Sequence, residues 1–183
     1  MADSLPDTWL QFARDVVAQA AHQRDPRLVP EPPDAPPHSG AFVTLHSGGR
    51  LRGCMGTLSD ALTLSEAVRH AATCAALDDP RFPALRPDEL SDLHIELSVL
   101  SPPVPMSSIA DLELGRHGII VRRGGCRGLF LPQVATEHHM SKEEFLSRCC
   151  SEKAGLPPEA WRDPATEVLL FTAQILTEPG REH

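Results

Sequence analysis

The chain begins with a segment whose apolar residues recur at helical spacing. From Trp9 to Ala20 they fall on one helical face, which predicts an N-terminal helix within residues 1–24. We expect Asp7 to be its N-cap. Six of the sixteen residues at positions 25–40 are proline, so this stretch should leave the helix and run extended over the surface. We interpret it as a connection inside one domain.

Two stretches of strand-like residues are each interrupted by a glycine-rich turn. In the first, residues 41–46 and 50–58 flank Ser47-Gly48-Gly49. In the second, residues 118–132 turn at Gly124-Gly125. Each stretch predicts a β-hairpin, and the return strand of the first hairpin reads RLRGCMGTL.

Two capping boxes mark the starts of further helices. Thr63 and Glu66 precede one apolar helical face, and Ser141 and Glu144 precede another that should end near Gly155. Each pair has the three-residue spacing that lets both members satisfy free backbone N–H groups. We therefore expect one helix after the first hairpin and one after the second.

Two more segments have the character of strands. Residues 93–100 alternate apolar and polar positions, and residues 167–176 form an apolar terminal strand. The predicted order is helix, hairpin, helix, strand, hairpin, helix, strand. Because hairpins imply antiparallel pairing, we expect an α+β fold, with an antiparallel or mixed β-sheet flanked by helices in a main body at residues 41–177.

Composition and charge narrow the classes of function. Hydrophobic residues make up 41% and charged residues 23% of the 183 residues, which is enough for a core and argues against global disorder. The net charge of −8 makes nucleic acid or an anionic membrane an unexpected principal partner. No apolar run approaches the ~20 residues of a membrane span, and no signal peptide is recognisable. We expect a cytoplasmic protein without membrane association.

The five cysteines indicate free thiols. Their number is odd and none form a Cys-x-x-Cys pair, so neither a disulfide scaffold nor a thiolate zinc site is expected. His138-His139 lacks a third ligand at a suitable spacing, and we predict no metal and no cofactor. Cys149 and Cys150 should lie on a helix. Since neighbouring helical side chains point about 100° apart, we expect at most one of them to face the core.

Cys54 is the leading candidate for chemistry. It lies between Gly53 and Gly56, which leave room for a ligand or for the backbone of another segment. On an ideal strand Arg52 would share its side, and a neighbouring arginine lowers the pKa of a thiol and favours the nucleophilic thiolate. The alternative is a buried structural cysteine, because free cysteine is among the most buried residue types.

A second group of candidates surrounds the second hairpin. Five basic or titratable residues cluster there: Arg116, His117, Arg122, Arg123 and Arg127. His117 could act as a base, and the arginines could hold a phosphate or carboxylate. The alternative is a solvated hairpin whose charges prevent edge-to-edge aggregation. Asp79 and Arg81 stand in the sequence DDPRF, where Asp-Pro favours a structural turn.

Taken in order, several segments resemble one known family. They are GAFVTLHSGGRLRGCMGTL, DDPRFPAL, IELSVLSPP, GRHGIIVRRGGCRGLFLPQVA and FLSRCCSEKAGLPPEAW. The chain resembles the AMMECR domain family, also called AmmeMemoRadiSam system protein A, as a single domain over residues 1–183. The resemblance implies a larger and a smaller lobe, with the hallmark LRGCMG near the groove between them. It carries these positions over as site residues: Arg52, Gly53, Cys54 and Gly56 from the hallmark, and Arg81, His117 and Gln133 from other blocks.

The resemblance implies partners but no reaction. Prokaryotic members are associated with a Memo-like protein, similar to non-haem dioxygenases, and with a radical S-adenosylmethionine protein. Our leading hypothesis is an enzyme or enzyme subunit acting on an anionic substrate. In it Cys54 is nucleophile or acid/base, Arg52 positions the anion, and His117 exchanges protons. The alternative is a non-catalytic adaptor that binds a peptide or partner protein in the groove. Nucleic-acid binding through the basic hairpin is a third hypothesis.

Overall fold

A computed structural model describes residues 6–33, 35–59 and 61–179 of the chain. The chain divides into two compact units. Of the described residues, those up to position 100 and those from position 174 on form the larger unit, and residues 101–173 form the smaller. This agrees with the expected larger and smaller lobes of an α+β fold. The first five residues of the segment predicted as the N-terminal helix lie outside the described residues.

The larger unit is built from two helices and a three-stranded antiparallel sheet. Its elements are α1 (Asp7–Ala21), β1 (Gly40–Ser47), β2 (Arg50–Leu58), α2 (Leu64–Leu77) and β3 (Leu93–Leu100). Short 3₁₀ turns at Pro26–Leu28 and Pro87–Asp92 join them. β1 pairs with β2 on one side and with β3 on the other, so β2 is the outer strand. The first predicted hairpin is confirmed.

Alternation along the strands decides which sheet face meets the helices. Ala41, Val43 and Leu45 of β1 are fully buried in one cluster with the apolar faces of α1 and α2. Phe42 and Thr44, on the other face, are only half-buried. The capping box at Thr63 and Glu66 is present as predicted.

The start of α1 differs in one detail from the sequence prediction. Asp7 is the first residue of the helix, and Pro6 is the N-cap. Pro6 is extended, and its carbonyl accepts a hydrogen bond from the Trp9 N–H at 3.0 Å. The prediction of Asp7 as N-cap was therefore wrong by one position. In the first turn its carboxylate still faces the positive end of the helix dipole.

The smaller unit contains the second hairpin. Its strands are β4 (Val104–Pro105), β5 (His117–Arg123), β6 (Cys126–Phe130) and most of β7 (Glu167–Thr177), and its helices are α3 (Pro132–Glu137) and α4 (Lys142–Arg148). β7 pairs with β4 and β5, and β5 pairs with β6, all antiparallel. The hairpin turn at Gly124-Gly125 and the capping box at Ser141 and Glu144 are confirmed.

The prediction for Cys149 and Cys150 was wrong. The α-helix ends at Arg148 and continues as a π-helical turn at Cys149–Lys153, in which both cysteines are 0% exposed. Burial raises the pKa of both thiols, and the backbone of Phe130 at Cys149 and of Trp161 at Cys150 opposes this effect in part. Because the turn is covered on two sides, neighbouring side chains about 100° apart are both enclosed.

Candidate functional site

Cys54 lies in the middle of β2, on the sheet face opposite α2. Its side chain is half-buried, and its Sγ is 3.3 Å from the Thr44 Oγ1. Thr44 is directly opposite Cys54 in β1 and directly opposite Glu96 in β3. A thiol, a hydroxyl and a carboxylate therefore occupy three neighbouring positions across the same face of the sheet.

The backbone of Cys54 is held by side chains from the loop that follows α2. Its N–H donates to the Asp79 Oδ2 at 2.9 Å, and its carbonyl accepts from the Arg81 Nη2 at 3.3 Å. Because β2 is the outer strand, these groups replace the neighbouring strand that β2 lacks on this side. The DDPRF turn predicted as a structural corner thus contacts the LRGCMG segment directly.

Asp79 and Arg81 form a tight pair beside this strand. The Asp79 carboxylate accepts from the Arg81 Nη2 at 2.7 Å, from its Nε at 2.9 Å and from its backbone N–H at 3.1 Å. Asp79 is 4% exposed. The Arg81 side chain holds the pKa of Asp79 well below its usual range, helped by the backbone N–H groups of Cys54 and Arg81 and opposed by burial.

The Arg81 guanidinium has hydrogen-bond donors without an acceptor among the described residues. The hydrogen bonds of its guanidinium to Asp79 and Cys54 use the N–H groups of Nε and Nη2, and no described residue accepts from Nη1. Its side chain is 54% exposed. The Asp79 hydrogen bonds raise the pKa of Arg81, and the charges of Asp79 and of an ionised Cys54 raise it further. The Nη1 end of a permanently charged group is therefore without an acceptor among the described residues, on a guanidinium that contacts the Cys54 backbone.

The Arg52 side chain forms an ion pair with Glu89. A β-bulge leaves Arg52 without a directly paired partner, since Leu45 pairs with Gly53 and His46 with Leu51. The Arg52 guanidinium donates to both carboxylate oxygens of Glu89, at 2.7 and 3.0 Å, and the side chain is 12% exposed. This pairing stabilises the turn before β3. A role for Arg52 in holding an anion stays a prediction, and Arg81 has the more open guanidinium.

The two hallmark glycines have close neighbours inside the larger unit. A Cβ on Gly53 would lie 2.3 Å from the Ala75 carbonyl oxygen of α2, and a Cβ on Gly56 would lie 2.2 Å from the Phe42 ring. Gly53 therefore lets β2 approach the helix backbone, and Gly56 makes room for the aromatic ring opposite it. Of the two predicted reasons for these glycines, the approach of another segment is the one visible here.

His117 and Gln133 belong to the smaller unit. The Nδ1 of His117 accepts from the Glu113 N–H at 3.1 Å, which leaves Nε2 as the protonated nitrogen of the neutral ring. Gln133 is in the first turn of α3, and its carbonyl accepts from the Thr136 hydroxyl at 2.9 Å. Their roles in a site remain predictions.

The arginines of the second hairpin are mostly paired. Arg116 contacts Glu113 at 3.0 Å, Arg123 contacts Asp163 at 2.9 Å, and Arg122 contacts Glu167 at 3.8 Å. These carboxylates interrupt the positive charge on which the nucleic-acid hypothesis depends. Nucleic-acid binding and the alternative of a solvated hairpin that blocks edge-to-edge aggregation both stay predictions.

Sequence reasoning missed Thr44, Glu89 and the joint role of Asp79 with Arg81. Regular counting back from the hairpin turn would have placed Val43 opposite Cys54, because the β-bulge at Arg52 shifts the register by one residue, so the sequence carried no signal for Thr44. In the described part of the chain, no three His, Cys, Asp or Glu side chains gather in a way that could hold a metal ion. Within the described ranges, every helix is too short or too polar to cross a membrane.

Comparisons with known proteins place the chain in a family. The family model described as AMMECR1 matches residues 10–176. A relative from Methanothermobacter thermautotrophicus is 44% identical over 94% of each chain, and one from Thermococcus gammatolerans is 41% identical over 95% of this chain and 92% of its own. The crystal structure of the uncharacterized protein PH0010 from Pyrococcus horikoshii superposes with a TM-score of 0.79 at 36% identity, covering 94% of this chain and 90% of PH0010. The chain belongs to the AMMECR1 family.

Proposed function

We propose that this protein is an enzyme or an enzyme subunit that uses the Cys54 thiol on a small anionic substrate. The observation that carries the proposal is the open Nη1 end of Arg81, held beside Cys54 by a buried carboxylate. Guanidinium groups bind carboxylate and phosphate oxygens through charge-assisted hydrogen bonds. Arg81 would hold the anion, and Cys54 would act as nucleophile or as an acid and base.

The surroundings of the thiol support chemistry at its sulfur. Sγ is half-buried, and Thr44 Oγ1 can donate to it or accept from it at 3.3 Å. The backbone of Cys54 is fixed on both of its outward-facing groups. A reactive group needs this kind of support, because catalytic geometry must be held within a fraction of an ångström.

The family resemblance supplies the positions of other candidate residues, and we infer their roles from the chemistry of their side chains. His117 would exchange protons with the substrate, Gln133 and Arg52 would contribute polar contacts, and Gly53 and Gly56 would shape the strand next to the thiol. The same resemblance motivates association with a Memo-like protein and a radical S-adenosylmethionine protein. We infer that such partners would complete the reaction or supply its substrate.

Two alkylating reagents of similar size test the proposal. Iodoacetate carries a carboxylate and iodoacetamide is neutral, so the ratio of their rates at Cys54 reports an anion receptor beside the thiol. Free N-acetylcysteine amide is the reference, because the exposed Cys126 is paired with Arg123 and adjacent to Arg127 in the hairpin. We expect the ratio at Cys54 to exceed that of the free thiol about 1.4- to 5-fold, since an exposed ion pair contributes roughly 0.2–1 kcal/mol.

Arg81→Gln should remove this preference for the anionic reagent. Arg162→Gln is a matched control, because Arg162 is 53% exposed and lies in the smaller unit. Rates are read for each cysteine by mass spectrometry of native protein. Equal ratios for Cys54 in the unmodified chain and for the free thiol would refute the anion receptor. Retention of activity in Cys54→Ser, once a substrate is known, would refute the role of the thiol.

A non-catalytic adaptor is the second candidate. It is favoured by the packing of Gly53 against Ala75 and of Gly56 against Phe42, which explains both glycines without a ligand. On this proposal the LRGCMG segment shapes a surface for a peptide or partner protein. Failure of Cys54 to react in native protein with either reagent, followed by reaction after unfolding, would favour the adaptor.

A further inference from the structure

Asp79 is a buried carboxylate to which the proposed function gives no contact with the substrate. It is 4% exposed, yet it accepts four hydrogen bonds from only two residues. Three come from Arg81 and one from the backbone of Cys54. Burying a carboxylate is costly unless it is paired and hydrogen-bonded, and here both conditions are met.

We infer that Asp79 is a positioning residue, which aligns the Arg81 guanidinium with the Cys54 thiol so that an anionic substrate is received at the sulfur. This inference rests on the proposed function. Asp79 would not touch the substrate. It would act through Arg81, whose orientation it sets, and through the strand that carries the thiol.

The first argument comes from the outer edge of β2. An edge strand presents unpaired N–H and C=O groups, and proteins usually cover them with another strand, a bulge or a charged side chain. At Cys54 both groups are met by side chains, a carboxylate for the N–H and a guanidinium for the carbonyl. A neighbouring backbone strand would satisfy the same groups. It would not leave a positive charge against the backbone of the residue that carries the thiol.

The second argument comes from the orientation of Arg81. Asp79 Oδ1 and Oδ2 take the Nε and Nη2 sides of the guanidinium, and Nη2 also reaches the Cys54 carbonyl. The guanidinium plane is thus held at three points, and Nη1 is turned away from Asp79. Since a mobile arginine loses side-chain entropy when it captures an anion, holding it beforehand favours binding.

Charge and positioning make opposite predictions for Asp79. As a negative charge beside Arg81, Asp79 reduces the attraction of the guanidinium for an anion. As a positioning group it increases the attraction at the place where the anion is needed. Replacing the carboxylate by an amide of the same shape therefore separates the two effects.

The experiment compares Asp79→Asn with the unmodified chain in the iodoacetate and iodoacetamide assay. We expect the rate ratio at Cys54 to fall to the ratio of the free thiol, although Arg81 is still present. An unchanged or higher ratio would overturn the inference. Asp163→Asn is the control, because Asp163 pairs with Arg123 on the surface of the smaller unit.

Loss of folding is monitored in the same samples. Cys149 and Cys150 are fully buried, so their alkylation reports unfolding rather than a local change. If Asp79→Asn does not fold, Asp79→Glu keeps the charge and shifts the carboxylate by one methylene. The same fall in the rate ratio is then expected, with both buried cysteines protected.

A second measurement does not depend on any substrate. The Arg81 Nε–H should exchange slowly with water in an NMR spectrum of the unmodified chain, because Asp79 accepts it at 2.9 Å. Asp79→Asn should accelerate this exchange at least tenfold. Unchanged exchange would overturn the positioning role. Slow exchange together with no anion preference in the unmodified chain would instead refute the proposed function and leave the Asp79–Arg81 arrangement supported.

Discussion

Replacing Gly53 with alanine tests how closely β2 packs on α2. The added Cβ would lie 2.3 Å from the Ala75 carbonyl oxygen and 3.3 Å from the Ala75 carbonyl carbon. Both atoms belong to the backbone of α2, so no side-chain rotation relieves the clash. β2 and α2 must separate by about 1 Å to restore ordinary van der Waals contact.

Overpacking of this kind costs about 1–3 kcal/mol of folding free energy. For a chain of this size, each kcal/mol lowers the melting temperature by about 2–4 °C, so Gly53→Ala should melt roughly 2–12 °C earlier. The control is Gly125→Ala. A Cβ on Gly125 would meet nothing within 4 Å, and its backbone φ is not positive.

The assay is chemical and thermal denaturation of both variants. Gly125→Ala should stay within about 0.5 kcal/mol of the unmodified chain, as is usual for surface substitutions. If Gly53→Ala changes stability no more than Gly125→Ala does, β2 does not lie against the helix backbone, and the packing explanation of this glycine fails. Agreement would show that one hallmark residue is required by the fold itself.

Two further predictions concern the buried thiols and Arg52. Burial raises the pKa of Cys149 from 9.0 to about 12, so the folded state keeps a proton that the unfolded state loses. The free energy of unfolding should then fall above pH 9 by up to about 1.4 kcal/mol per pH unit. The change of the unfolding free energy with pH is measured by guanidinium denaturation from pH 8 to 10.5. It should weaken in Cys149→Ala and remain in Cys126→Ala, and equal slopes in the two variants would contradict the prediction. The absence of tyrosine from the chain makes the slope easier to assign. Glu89→Gln should cost about 1–3 kcal/mol, because it leaves the Arg52 guanidinium, 12% exposed, without its carboxylate. Glu152→Gln, which breaks an exposed helical pair, should cost less than about 0.5 kcal/mol in the same denaturation assay, and equal losses would contradict the reasoning.

Local pattern was enough to predict most of the fold. Both hairpins, both capping boxes and the strands at Leu93–Leu100 and Glu167–Thr177 lie where spacing and turn residues placed them. The predictions were wrong at positions where the surrounding residues determine the local structure. Asp7 is the first residue of α1 rather than its N-cap, because the extended Pro6 already occupies the N-cap position. Both Cys149 and Cys150 are buried because the smaller unit covers their turn on two sides.

The amino-acid sequence by itself determined most of the elements and the class of fold. Each depends on residues close together in the chain, where hydrogen bonding and apolar spacing act locally. Only the tertiary structure decided which charged groups meet. Arg52, two residues from Cys54, turns to Glu89, and Asp79 and Arg81, more than twenty residues away, hold the backbone of Cys54. The reason is physical: β2 is an outer strand with a bulge, and its unpaired backbone groups are satisfied by whichever side chains the packing of α2 brings there.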